Sequence, residues 1–258
     1  MAKAAGILLL LASLPLWADL RYQMRCEMES SEPMLSQMGA LAEAARNCSV
    51  EVLQSGSRQL IRNARMTQLF HLEEGYLIRL DHVDKTRRRI SFEELQQGDQ
   101  ASLEQFQAMG ARMNIATRKL PAPRVIEGYL SEGVESNFTI AVPVAGLRRP
   151  MQMSARVEVW LSAEAPGGKD AAKGIAGKAT SPQFQMMMQF LRGMPGGDQI
   201  LREGALPTGQ LMETRMRMEL PGGDGVSVIE IRMRAENFAT SPINPEEFAV
   251  PADYREVQ

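Results

Sequence analysis

Over 212–220 the chain alternates without a fault. Met212, Thr214, Met216, Met218 and Leu220 fall in one set, and Glu213, Arg215, Arg217 and Glu219 in the other. Successive side chains of a strand point to opposite faces, so this spelling predicts a strand with one apolar side and one wet side. The pattern recurs. Leu20, Tyr22, Met24, Cys26 and Met28 oppose Arg21, Gln23, Arg25, Glu27 and Glu29, and Met151, Met153, Ala155, Val157, Val159 and Leu161 oppose Gln152, Ser154, Arg156 and Glu158. Ile229, Ile231 and Met233 oppose Glu230, Arg232 and Arg234, and 76–82 and 137–144 follow the same rule. Repeated alternation is the mark of an antiparallel sheet, whereas a parallel sheet covered on both sides reads as continuous Val/Ile runs. Most Rossmann-type folds are thereby excluded.

Turn chemistry agrees. Pro221-Gly222-Gly223-Asp224-Gly225 predicts a longer hairpin loop, and Val83-Asp84-Lys85 a hairpin tip. Three stretches change period. Helices are expected after Ser31-Glu32-Pro33 (Met34, Met38, Leu41, Ala42, Ala45), over 101–113 (Leu103, Phe106, Met109, Met113), and after Ser181-Pro182 (Phe184, Met187, Met188, Leu191). The Gly/Ala/Lys-rich stretch 166–180 reads as a loop. The expected fold is mainly β with a few helices (α+β): an open, curved antiparallel sheet with helices on its concave side, in one domain spanning 19–258.

The N-terminus supplies an address. Lys3, an apolar run over 4–17 and Ala18 before Asp19 have the layout of a signal peptide over residues 1–18, and the run is too short to span a bilayer. Cys26 lies in no lipobox-like setting. A periplasmic chain with no transmembrane span in its mature part is expected. Without Lys3, 28 Lys and Arg face 31 Asp and Glu, and no basic stripe is present, so nucleic acid is not an expected partner. Cys26 and Cys48 are a disulfide candidate in an oxidising compartment; two buried free thiols fit the sequence as well.

Catalytic signatures are missing: no Gly-x-Ser-x-Gly, no His-Glu-x-x-His, no phosphate loop and no dinucleotide fingerprint. The two histidines are His71 and His82. In Asp81-His82-Val83-Asp84 the first two side chains of a strand diverge, which favours a structural hairpin end over an acid/base or metal cluster. A non-enzymatic protein without cofactor is expected.

Methionine is abundant, with 18 residues against 5 % aromatics. Met24, Met28, Met151, Met153, Met212, Met216, Met218 and Met233 fall in the inward sets. Flexible thioethers specify a rigid core poorly and accept varied apolar shapes well. These eight are therefore candidate contacts for a lipid or acyl chain. The alternative is a core filled by the chain's own helices, in a structural or partner-binding envelope module. A lesser alternative is Cu(I), since Met151-x-Met153 and Met216-x-Met218 place paired thioethers on one strand face.

Several short segments bear a resemblance. Ser241-Pro242-Ile243-Asn244-Pro245 and then Phe248-Ala249-Val250-Pro251-Ala252-Asp253-Tyr254 resemble the closing Phe-x-x-Pro-x-x-Tyr segment of exported bacterial proteins of unknown function, similar to the LolA/LolB lipoprotein carriers. Ile78-Arg79-Leu80-Asp81 with Lys85-Thr86, Ile126-Glu127-Gly128-Tyr129 and Val157-Glu158-Val159-Trp160-Leu161 follow the family's order. The resemblance implies a half-barrel sheet wrapped around helices, with an apolar cavity that holds acyl chains in the carriers.

Overall fold

The structure is a computed structural model that describes residues 19–30, 48–108, 110–143, 150–168, 209–222 and 225–257. The expected signal peptide, the helices over 31–47 and 181–193, and most of the 166–180 loop lie outside these residues. Thirteen strands form one open sheet: β1 (Leu20–Ser30), β2 (Val50–Ser55), β3 (Arg58–Arg62), β4 (Met66–His71), β5 (Tyr76–Asp81), β6 (Thr86–Ser91), β7 (Arg112–Lys119), β8 (Arg124–Ile126), β9 (Tyr129–Val142), β10 (Met151–Ser162), β11 (Gln210–Gly222), β12 (Gly225–Ala239) and β13 (Arg255–Glu256). Their order is β13-β6-β5-β4-β3-β2-β1-β12-β11-β10-β9-β7, with β8 beside β9. Every ladder is antiparallel except β13 against β6.

The strands read from alternation are present, and the expected mostly antiparallel sheet is observed. Two local expectations are corrected. The ladder of β11 and β12 runs on through Pro221↔Val226 to Gly222↔Gly225, so the connection is shorter than a long loop. The helix expected over 101–113 is α1 (Phe92–Ala108), and Met113 lies on β7. Its start is set by Ser91, whose hydroxyl accepts the Glu94 backbone N–H at 3.0 Å, while Glu93 and Glu94 sit in the positive first turn. Gly110, at φ +73°, turns the chain after its end.

Hairpin ends follow side-chain chemistry. The Asp81 carboxylate accepts the backbone N–H groups of Val83 and Asp84 at 2.8 and 3.0 Å, closing the tip between β5 and β6. Glu127 and Gly128 both adopt positive φ (51° and 83°), as a two-residue β8–β9 hairpin of the primed type requires.

One core lies along β1–β6, where Leu20, Tyr22, Met24, Val52, Phe70, Leu77 and Ile90 are buried and Phe92 and Leu95 of α1 pack on them. On the other side of the same strands, Leu53, Leu60 and Leu69 meet Ile243 and Phe248 of the C-terminal segment. That segment contains a 3₁₀ turn, Pro245–Phe248, capped by Asn244. Glu247 of the turn accepts from Arg21 and Arg62, each at 3.0 Å. Tyr254 reaches His82 Nδ1 at 2.5 Å, and His82 Nε2 contacts Thr67 Oγ1 at 2.9 Å. His82 is thus part of a strap that fastens the C-terminus to the sheet.

Cys26 and Cys48 form a disulfide with Cα atoms 5.4 Å apart. It continues the β1–β2 register one step beyond Met24↔Val50 on the same face. The bond fits an oxidising compartment. Among the described residues no helix is long and apolar enough to cross a membrane.

Candidate functional site

Register turns the alternating strands into rows. On the apolar face one row reads Met28–Ile231–Met216–Val157–Ser136, and the next Ser30–Ile229–Met218–Ala155–Phe138. Adjacent strands lie about 4.8 Å apart and alternate residues about 6.8 Å along a strand, so Met28, Met216 and Met218 share a patch roughly 10 Å across. Met153 and Met151, opposite Ile140 and Val142, extend it along β10. All five thioether residues are half-buried.

The other three candidates have different surroundings. Met24 is 2 % exposed within the β1–β6 core, and Met233 packs against that core half-buried. Met212 is fully buried with Ile126, Trp160 and Ala165. Two irregularities build this end of the sheet. An extra residue enters β11 opposite the Trp160/Leu161 step, and another enters β12 opposite Arg21/Gln23, where Asn237 adopts φ +58°. Phe238 then stacks on Tyr22 (ring centroids 5.3 Å apart) and meets Tyr129 edge-on at 5.9 Å. Gly133 faces Trp160 across the ladder, and a Cβ there would lie 2.8 Å from the indole, so the ring fills the space a side chain would need.

The opposite face is charged, with two carboxylates inside it. Glu213, on β11, has no exposed surface and accepts from Arg215 Nε at 2.6 Å, Arg232 Nη2 at 2.8 Å and Arg124 Nη1 at 3.3 Å. Burial acts to raise its pKa, but the hydrogen bonds and charges of Arg232 and Arg215 prevail and hold it below the usual carboxylate range. Glu135, on β9 and 2 % exposed, is likewise held low, first by its hydrogen bond from Arg118 at 2.9 Å, against burial, with Asn137 and Arg156 adding to the effect. Arg124 also lies 4.8 Å from the centre of the Trp160 ring. A shallow depression of about 370 Å³ on this side involves Glu27, Arg156, Glu158, Arg217, Glu230 and Arg232. Its four arginines (Arg215 included) balance four glutamates (Glu29 included).

The alternation assigned Glu213 to a water-facing set and missed that it is buried, while Glu135 lies outside the alternating segment 137–144. The available signal was the arginine two residues along at Arg215 and the arginines brought opposite by register, which sequence spacing alone does not reveal. Among the described residues, no three His, Cys, Asp or Glu side chains converge as metal ligands. His71 stacks on Tyr76 at 4.4 Å, Arg89 lies 3.8 Å from the Tyr76 centroid, and neither imidazole nitrogen has a hydrogen-bond partner. No protein-family model matches the chain, and no curated protein matches it.

Proposed function

We propose that this chain is a non-enzymatic periplasmic binding protein that holds a lipid or lipoprotein acyl chain on the methionine-rich face of its sheet, in a half-barrel like that of the LolA/LolB carriers. The observation that carries the reading is the apolar patch around Met28, Met216 and Met218, where flexible side chains sit half-buried in consecutive rows. Such a surface adapts to a disordered hydrocarbon chain by changing rotamers at little cost. Its opposite face is closed by ion pairs, which gives an acyl chain no apolar surface to prefer there. Native mass spectrometry of residues 19–258 purified from the periplasm tests it. A copurified mass extractable into organic solvent is expected; a bare protein mass, unchanged after incubation with lipid, overturns the reading.

A second reading draws on Met24 and Met212, which are packed inside filled cores. In it the chain is an envelope interaction module whose methionines only fill space. It predicts a melting temperature indifferent to lipid.

A further inference from the structure

The methionines of the sheet fall into two classes. Met24 and Met212 are 2 % and 0 % exposed, each packed inside a core. Met28, Met216 and Met218 are half-buried, so part of each side chain meets solvent. Register gives Met216 the neighbours Ile231 and Val157, Met218 the neighbours Ile229 and Ala155, and Met28 the neighbour Ile231. Both cysteines of the chain are consumed in the Cys26–Cys48 disulfide, so no thiol competes for an oxidant. Partly accessible thioethers are then the most readily oxidised of the described side chains.

We propose that Met28, Met216 and Met218 form a reversible oxidation site for peroxides and, resting on the acyl-chain reading above, that oxidation there releases the ligand. The sulfur lone pair attacks one peroxide oxygen; an S–O bond forms, the O–O bond breaks and water leaves. Sulfur loses two electrons and the peroxide gains them. A dithiol reverses the step: it gives up two hydrogens and two electrons, becomes a disulfide, and the sulfoxide oxygen leaves as water. Each oxidation turns a flexible apolar side chain into a polar one. The new oxygen is a hydrogen-bond acceptor set beside aliphatic neighbours, and hydrocarbon laid over it would strip its water. Oxidised together, the three residues reverse the preference of the patch, while the cores around Met24 and Met212 keep the fold.

The purified mature chain, treated with excess hydrogen peroxide, desalted and digested, tests this by peptide mass spectrometry. Met28, Met216 and Met218 are expected to gain one oxygen each at least about tenfold faster than Met24 and Met212. The treated, undigested chain is titrated in parallel with dansylundecanoic acid, a fluorescent acyl probe. Its affinity is expected to fall at least about tenfold. It should return after methionine sulfoxide reductases of both stereospecificities act with dithiothreitol, and not after dithiothreitol alone. Met28→Leu with Met216→Leu and Met218→Leu conserves volume and polarity, so this variant should bind the probe equally before and after peroxide. Oxidation of Met24 and Met212 as fast as the patch overturns the inference. So does an oxidised patch of unchanged affinity, or a leucine variant that still loses the probe. Failure of the untreated chain to bind the probe overturns the acyl-chain reading and ligand release with it, while the peptide map still decides the oxidation site.

Discussion

Three guanidinium groups keep an ionised Glu213 inside the wet side of the sheet. Each is about two-fifths exposed, so each retains part of its hydration while neutralising the carboxylate beneath. Removing any one arginine should cost under about 1 kcal/mol, because the others remain and exposed pairs are weak. Glu213→Gln leaves three cations around a neutral amide and should cost about 2 kcal/mol in urea denaturation. Its pH consequence has a fixed sign. Glu213 and Glu135 have folded pKa values below the reference 4.5. Their stabilisation is therefore complete above that value and lost as pH falls through the folded values. Glu213→Gln should flatten this acid limb. His71 acts in the same direction at higher pH. Burial, with Arg58 and Arg89 against the opposing pull of Glu74, lowers its pKa below 6.5. The native state thus favours the neutral ring, and stability falls as pH drops below 6.5 toward the folded value. In melting curves between pH 5 and 7, His71→Phe, which retains the stack on Tyr76, should remove that slope; an unchanged slope refutes the assignment.

At the scale of elements, what alternation revealed and what it missed have one physical cause. β1, β5 and β10–β12 are legible because long parts of them have one apolar and one polar side. β2, β3 and β4 are less legible because the C-terminal segment covers their second face. Val52 and Leu53, Leu60 and Ile61, and Leu69 and Phe70 are adjacent residues buried on opposite sides, which erases the period of two. The candidate site was legible in part for a related reason. Met28, Met216 and Met218 follow the simple count, whereas the irregularities near Trp160 and Asn237 shape the packing at the end of the sheet where Met212 is buried. Two element-level predictions follow from the ties described. Phe248→Ala, by detaching the strap from β2–β4, should cost about 3 kcal/mol in urea denaturation. Cys26→Ser with Cys48→Ser should also cost about 3 kcal/mol, since the bond closes a loop with a sequence separation of 22. A loss well under 1 kcal/mol in either case would show the tie to be dispensable.

For the molecule as a whole, the methionine patch on one face of β10–β12 and the ion pairs on the other make one decisive substitution available. Met216→Asp with Met218→Asp puts two carboxylates into adjacent rows of the apolar patch and should abolish lipid copurification. Single Met→Leu changes there should preserve it, because volume and polarity are conserved. A folded double-Asp variant that retains its lipid would refute the carrier reading. The order of the strands carries a separate consequence. β1 lies between β2 and β12, so the first strand is flanked on one side by a strand that begins about 200 residues later. During synthesis that partner emerges long after β1 itself. Until then the middle of the sheet has a missing member, and the outer strand β6 still lacks the β13 segment that pairs beside it. Topology of this kind makes folding slow and late, because distant chain closure must precede the contacts that reward it. The central ladder of this sheet therefore stays open until two segments far apart in the chain have met.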